Sequence, residues 1–254
     1  MKLVVLGSGT SVPHAARCSA AFWIETQEGS ILLDIGADAP HRMAQESLDW
    51  PNLDAIWISH FHLDHLGGLA PFLFGMRWAP QTRERRKPLK IIGPRGLAAL
   101  IGTFSDADDY KLLEQNFPVQ ICEVNAGDIF KIVPGLEATA LSTPHSSESM
   151  ALRLTDGRGK SLVYSSDTGF SEDLIHFASG VTLLLLECSF KRDKPLATHL
   201  ELTESMRIIK DAQPEAALLM HLYPEWEVGT VAAAAASLWN GKVLEATDGL
   251  QLEI

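Results

Sequence analysis

The sequence is poor in cysteine, and the few cysteines it has are spread along the chain. Its three cysteines, Cys18, Cys122 and Cys188, are odd in number and far apart, so they do not form the dense disulfide framework of a small secreted protein. Residues 1–7 carry one charge and a short apolar body, a pattern more typical of a first strand than of a secretion signal. Both features predict a cytoplasmic protein.

Positive charge and long apolar runs are also scarce. Lys and Arg total 21 against 32 Asp and Glu, a formal net charge of −11, which argues against a broad electrostatic grip on nucleic acid. The basic run at residues 83–90 departs from this balance, and it is either a solvated loop or a patch that attracts an anion. The longest apolar runs, such as residues 181–186, are far too short to span a bilayer, so no membrane segment is predicted.

Short apolar runs alternate with helical patterns along the whole chain. Hydrophobic residues make up 46% of the sequence, which is enough for a packed core. Strand-like runs bounded by turn residues occur in both halves, and helical patterns lie between them, including residues 107–115 and 201–212. This order predicts an α/β fold, a four-layer αβ/βα sandwich of two mixed sheets flanked by helices, with residues 1–254 as a single domain.

Side chains that bind metals crowd one point of the sequence. His60, His62, Asp64 and His65 form an H-x-H-x-D-H pattern directly after the apolar run at residues 55–58. Imidazole and carboxylate groups suit zinc and related metals. One ion cannot easily use all four groups at this spacing, so the pattern predicts two metals. Two ions about 3.5–4 Å apart form a site that splits esters, and phosphate esters in particular.

Three further strand-like runs end in a side chain of the same type. His145, Asp167 and His221 each follow an apolar run directly, at a place where loops commonly hold functional groups. Each residue is a weak signal alone, since a lone histidine after a strand is more often structural. Together with the H-x-H-x-D-H pattern they complete two sets of ligands.

These motifs, in this order, resemble the metallo-β-lactamase superfamily and, within it, the ribonuclease Z-like branch. The resemblance covers nearly the whole chain and implies the metallo-β-lactamase fold. It also includes segments around Gly7, Asp34, Ser166, Glu187, His199 and Asp248.

The resemblance implies a role for each ligand residue. His60, His62 and His145 would bind one ion, Asp64, His65 and His221 a second, and Asp167 would bridge them. The expected ions are two divalent metals, with zinc first and manganese or iron as alternatives. A hydroxide shared by the two ions would be the nucleophile. Asp34 either orients a ligand histidine or caps a turn, and the sequence favours neither.

The resemblance also implies a catalytic pair. Glu187 and His199 lie in segments that, in ribonuclease Z relatives, place a Glu–His pair near the leaving group. The carboxylate would orient the imidazole, and His199 would donate a proton to the departing oxygen. The alternative is a structural ion pair. With Asp64, these two residues are the predicted catalytic residues.

The sequence leaves the substrate open. The most favoured function is a phosphodiesterase or a ribonuclease Z-like endoribonuclease, acting on a small diester, a cyclic nucleotide or RNA. The long basic arm of transfer RNA-processing enzymes has no room here, since only residues 146–166 separate His145 from Asp167. The alternatives are a carboxyl-ester, lactone or thioester hydrolase of the same fold and, third, a non-catalytic or redox metal protein. The apolar stretch at residues 68–78 suits a homodimer contact, and the sequence does not decide between that and a monomer.

Overall fold

Two seven-stranded β-sheets form the centre of the molecule. The computed structural model describes all 254 residues. The first sheet contains β1 (Lys2–Gly7), β2 (Ala21–Glu25), β3 (Ser30–Leu33), β4 (Ala55–Trp57), β5 (Leu89–Pro94), β6 (Val119–Val124) and β14 (Gln251–Glu253). The second contains β7 (Ile129–Val133), β8 (Leu136–Ser142), β9 (Met150–Asp156), β10 (Ser161–Tyr164), β11 (Leu183–Glu187), β12 (Ala216–Met220) and β13 (Lys242–Glu245).

Both sheets are mixed, and they follow the same plan. The strand order is β14-β1-β2-β3-β4-β5-β6 in the first sheet and β13-β12-β11-β10-β9-β8-β7 in the second. In the first sheet β14, β1, β2 and β3 pair antiparallel, and β3, β4, β5 and β6 pair parallel. In the second, β7 to β10 pair antiparallel and β10 to β13 pair parallel. The last strand, β14, returns to the first sheet and pairs with β1.

Seven helices cover the outer faces of the sheets. They are α1 (Ala39–Gln45), α2 (Leu63–Leu66), α3 (Leu69–Trp78), α4 (Leu97–Asp106), α5 (Glu172–Phe177), α6 (Leu202–Ala212) and α7 (Thr230–Ala236). The helix predicted near 201–212 is confirmed as α6; a capping box of Glu201 and Glu204 starts it, and Gln213, in the left-handed conformation, ends it.

The helix predicted at residues 107–115 is wrong. The chain forms turns there after α4 ends. Asp108 and Lys111 adopt φ values of 50° and 47°, which a right-handed helix cannot contain.

Three hydrophobic cores explain why the apolar runs are continuous rather than alternating. In β1, Leu3 and Val5 face the second sheet across a central core of 26 buried residues. Val4 and Leu6 face outward, into a core of 22 buried residues beneath α1, α3 and α4. A third core of 20 buried residues lies between the second sheet and α5, α6 and α7. Because both faces of each sheet are covered, the predicted four-layer αβ/βα sandwich is confirmed.

The basic run at residues 83–90 has one buried member, Arg85, while Arg83, Arg86 and Lys87 are exposed. Arg85 is buried and donates hydrogen bonds to the carbonyls of Pro51, Leu53 and Pro88, and its guanidinium stacks over the ring of Phe117. Lys87 pairs with Asp54. The run therefore does not form one free anion-binding patch.

None of the helices has the length and apolar character that crossing a membrane requires.

Candidate metal centre

The carboxyl ends of strands from both sheets deliver polar side chains to one cleft. His60 and His62 follow β4, and Asp64 and His65 lie in α2. The second sheet supplies the loop after β8, the loop after β10 and the residue that follows β12. The structure brings all the ligand residues expected from the sequence together: His60, His62, Asp64, His65, His145, Asp167 and His221.

The carboxylate of Asp167 lies between two groups of side chains. Its Oδ2 is 3.9 Å from His60 Nε2 and 3.6 Å from His145 Nε2. His145 Nε2 is in turn 3.0 Å from His62 Nδ1. These four residues form one cluster whose ligand atoms all lie within 4.8 Å of one another.

The other oxygen of Asp167 faces the second group. Asp167 Oδ1 is 3.2 Å from both His65 Nε2 and His221 Nε2. Asp64 Oδ2 lies 3.4 Å from His221 Nε2 and 3.8 Å from His65 Nε2. One carboxylate thus offers a separate oxygen to each cluster.

The donor atoms fit metal ions. Ligands about 2.0–2.2 Å from a tetrahedral ion lie about 3.3–3.6 Å from each other, close to the separations around Asp167. His60 Nε2, His65 Nε2 and Asp167 Oδ1 are buried without a hydrogen-bond partner. Buried polar atoms are normally paired, so these three converging atoms are the observation that best fits a metal site.

The charges of the cleft shift the pKa values of its members in opposite directions. Burial, with the nearby charge of His65, holds the pKa of His60 well below its usual value. Burial would also lower the pKa of His65, but the carboxylates of Asp167 and Asp34 raise it well above that value. Burial would raise the pKa of Asp167, yet the charges of His221 and His65 keep it well below its ordinary range.

A buried carboxylate behind the cleft orients two of the histidines. Asp34 Oδ2 accepts hydrogen bonds from His65 Nδ1 at 2.6 Å, from Tyr164 Oη at 2.7 Å and from Ser59 Oγ at 2.7 Å. Ser59 Oγ is also 3.0 Å from His60 Nδ1. Of the two roles left open for Asp34, the contacts match the one that orients ligand histidines.

Three residues of the cleft have a strained backbone. Asp34, Ser166 and His221 have φ values of 55°, 52° and 55°, in the left-handed region that residues other than glycine seldom adopt. Each follows a strand at the cleft. Strain of this kind persists where the surrounding structure enforces it, and it concentrates at functional sites.

The predicted Glu187–His199 pair is formed beside the second cluster. His199 Nδ1 lies 3.2 and 3.3 Å from the two oxygens of Glu187. Burial would lower the pKa of His199, but the hydrogen bond and charge of Glu187 raise it above its usual value. His199 also lies close enough to Asp167 and His221 to belong to a third group of ligand-type side chains.

Sequence reasoning missed the hydroxyl groups that support the histidines. Ser59, Tyr164 and Ser189 each contact a carboxylate or a ligand histidine. Ser59 and Ser189 stand within two residues of a predicted site residue, which is the only signal the sequence offers. Which hydroxyl meets which ring depends on contacts between strands that are distant along the chain.

The chain matches a known protein family over most of its length. Residues 1–240 fit the family described as Anti-Pycsar protein Apyc1. The chain belongs to this family. Its membership in the Apyc1 family agrees with the metallo-β-lactamase resemblance, since the structural neighbours share that fold.

Relatives of this Apyc1 family member include proteins named as a probable metallo-hydrolase and as a ribonuclease. A protein named probable metallo-hydrolase YhfI, from Bacillus subtilis, is 28% identical over the whole of both chains. Ribonuclease BN of Citrobacter koseri is 31% identical over 61% of this chain, but the match covers 50% of that protein.

Solved structures establish the fold. The YhfI structure has a TM-score of 0.85 at 23% identity and covers 99% of both chains. Human tRNase Z, short form, has a TM-score of 0.82 at 20% identity, covering 100% of this chain and 99% of its own. A diphosphatase from the PhnP family has a TM-score of 0.77 at 19% identity, covering 100% and 97%. Together these similarities support a metallo-hydrolase of the metallo-β-lactamase fold.

Replacing Asp34 by Asn tests the orienting carboxylate. We expect Asp34→Asn to destabilise the metal-free protein by about 1–3 kcal/mol, since the amide has one acceptor oxygen where the carboxylate uses two to accept from Ser59, His65 and Tyr164. Asn tolerates the left-handed backbone, so strain does not confuse the result. Tyr164→Phe removes a single donor and should cost about 0.5–1.5 kcal/mol. Urea unfolding in chelator measures both, and an Asp34→Asn variant as stable as the wild type would contradict this role.

Proposed function

We propose that the protein is a dinuclear metal-dependent phosphodiesterase that acts on a small phosphodiester. The observation that carries the proposal is the position of Asp167, with one oxygen facing each ligand cluster. In this proposal Asp167 would contribute to the binding of both ions. His60, His62 and His145 would hold one ion, and Asp64, His65 and His221 would hold the other.

The donor set favours zinc. Imidazoles and carboxylates are the only ligand types in the clusters, which suits zinc first and leaves manganese and iron as alternatives. When bound, the two ions would supply an activated water and stabilise the charge that develops on the phosphate.

Side chains of the protein would donate and accept the protons in the proposed reaction. Glu187 contacts Nδ1 of His199, which leaves Nε2 as the nitrogen that can donate to the departing oxygen. Burial would lower the pKa of His199, but the hydrogen bond and charge of Glu187 raise it, which favours the protonated ring that such a step needs. Burial would raise the pKa of Asp64, but its hydrogen bond to His221 and the charge of His65 keep it below its usual value. An ionised Asp64 can accept a hydrogen bond from the attacking water.

A small diester suits this chain better than transfer RNA. The net charge of −11 opposes a large RNA surface. Between His145 and Asp167 the chain is used by β9, β10 and the tight turn that joins them. The basic run contributes structural contacts through Arg85. Tight binding of a large polyanion would need a basic surface that these features do not supply.

A kinetic assay with counted metals tests the proposed reaction. The zinc- or manganese-loaded protein should hold two ions per chain and cleave bis(p-nitrophenyl) phosphate faster than p-nitrophenyl acetate or a lactone panel. Asp167→Ala should lose metal and hydrolysis together, since no other carboxylate faces both clusters. Cleavage of carboxyl esters or lactones alone would contradict the phosphodiesterase. A normal metal content and rate in Asp167→Ala would contradict the bridging role.

Removing the proposed proton donor should affect only difficult leaving groups. We expect His199→Ala to keep its metals and to slow diesters with poor leaving groups by about 10²- to 10⁴-fold, because these need protonation as they depart. A p-nitrophenyl leaving group should be much less affected. The exposed His176 gives a matched control in His176→Ala. Equal losses for both kinds of substrate would count against a proton-donating role, and loss of metal would make His199 a ligand.

We further propose that residues 1–254 act as one hydrolase domain in the cytoplasm. The central core joins both sheets, and both sheets supply groups to the cleft. The three cysteines are unpaired, which suits a reducing compartment.

We also propose a homodimer, formed through an exposed aromatic cluster of Phe74, Trp78 and Tyr110. The side chains are 43%, 64% and 48% exposed, and the ring of Phe74 is within 6.4 Å of the other two. Arg77 stacks on Trp78 and pairs with Glu114. A two-fold contact would cover the same cluster on both copies.

Solution mass tests the dimer. Light scattering should give twice the chain mass for the wild type and a monomer for Trp78→Glu, since the charge would be buried at the contact. Leu238→Glu, at an exposed position outside the cluster, should stay dimeric. A monomeric wild type at micromolar concentration would contradict the proposal.

A further inference from the structure

We propose that Ser189 is a positioning residue whose hydroxyl lets one buried carboxylate, Glu187, orient two histidines, His199 and His221. The same carboxylate would then orient a histidine of the proton-donating pair and a histidine of the second metal cluster. This inference rests on the proposed metal centre, in which His221 is a ligand.

The hydroxyl of Ser189 lies between the carboxylate and the ring. Ser189 Oγ donates to Glu187 Oε2 at 2.6 Å and lies 3.0 Å from His221 Nδ1. A hydroxyl has one hydrogen, so the bond to Glu187 leaves Ser189 Oγ as the acceptor for His221 Nδ1–H. The opposite nitrogen, His221 Nε2, then carries a lone pair and faces Asp64 and Asp167. The contact thus selects the tautomer that a metal ligand requires.

The carboxylate of Glu187 is itself held in a fixed position. Its Oε1 accepts from the backbone N–H of Thr168 at 2.6 Å, and its Oε2 accepts from that of Leu200 at 3.0 Å. Backbone donors from two loops therefore hold the carboxylate in place independently of either histidine ring. His199 contacts the carboxylate directly. Through the hydroxyl of Ser189, the same carboxylate also orients the ring of His221, which it does not contact itself.

The first sheet contains the same arrangement. Asp34 contacts His65 directly at 2.6 Å and reaches His60 through the hydroxyl of Ser59. In both sheets a buried carboxylate holds one histidine itself and a second one through a serine. Such partners fix ring orientation and raise ligand basicity. The repeated geometry indicates that the Ser189 hydroxyl serves orientation rather than packing alone.

Metal titration of Ser189→Ala tests the inference without substrate. The affinity of one of the two ions should fall by about 10- to 100-fold while the other stays within a few-fold. His221 Nδ1 loses its hydrogen-bond partner, whereas His199 loses a longer contact to Ser189 at 3.5 Å and keeps Glu187. Ser205→Ala is the matched control. Ser205 is also fully buried and bonds to the backbone carbonyl of Glu187, but it does not contact a histidine. Its variant should bind both ions as the wild type does, with a similar loss of thermal stability.

A spectroscopic measurement adds a second readout. In ¹⁵N-labelled protein the hydrogen-bonded Nδ1–H of His221 should give a slowly exchanging proton signal, and Ser189→Ala should lose that signal while Ser205→Ala keeps it.

The outcomes separate this inference from the proposed function. A wild type that binds two ions, with a Ser189→Ala variant that binds them equally well or loses no more than Ser205→Ala, overturns the role of Ser189 alone. A wild type that binds fewer than two ions overturns the proposed centre and this inference with it. A selective loss of one ion together with the His221 signal supports the inference.

Discussion

The buried carboxylate of Asp167 is the group on which the rest of the cleft depends. It is 1% exposed, and a carboxylate in that position costs several kcal/mol unless opposite charges or metals compensate for its lost hydration. Asp167 directly follows Ser166, a residue with a strained backbone. The backbone carbonyl of Asp167 accepts a hydrogen bond from Thr143 Oγ1 at 2.9 Å. Both features keep the carboxylate in the one position where histidines from both sheets can surround it.

The two sheets contribute in parallel ways. Each supplies one buried carboxylate that holds a histidine directly and another through a serine hydroxyl: Asp34 in the first sheet and Glu187 in the second. The rings around Asp167 are therefore held from behind as well as from the cleft. The supporting carboxylates and serines lie at or just beyond strand ends of a packed sandwich.

The acidic character of the chain fits a substrate bound in a small cleft better than a polyanion bound over a broad surface. The basic run is tied into the fold by Arg85, whose guanidinium donates to carbonyls and stacks on Phe117. The surface also carries an exposed aromatic cluster of Phe74, Trp78 and Tyr110, which is the proposed site of self-association.

The sequence alone determined the layers and the side chains that meet in the cleft. Continuous apolar runs required sheets covered on both faces, and the H-x-H-x-D-H pattern with His145, Asp167 and His221 contained every side chain of the two proposed metal clusters. Local patterns record such features because these side chains lie at or just beyond strand ends. The helical pattern at residues 107–115 gave a wrong prediction, because Asp108 and Lys111 adopt a left-handed backbone that a local pattern does not record.

Tertiary structure decided which atoms meet. That the two oxygens of Asp167 face different clusters, and that Ser59 and Ser189 connect carboxylates to rings, could not be inferred from a linear sequence. These contacts join residues far apart along the chain, and their directions follow from strand register and side-chain rotamers. The sequence therefore specified the chemical groups, and the packing of two sheets specified their geometry, because hydrogen bonds and coordination depend on distances that only the folded chain sets.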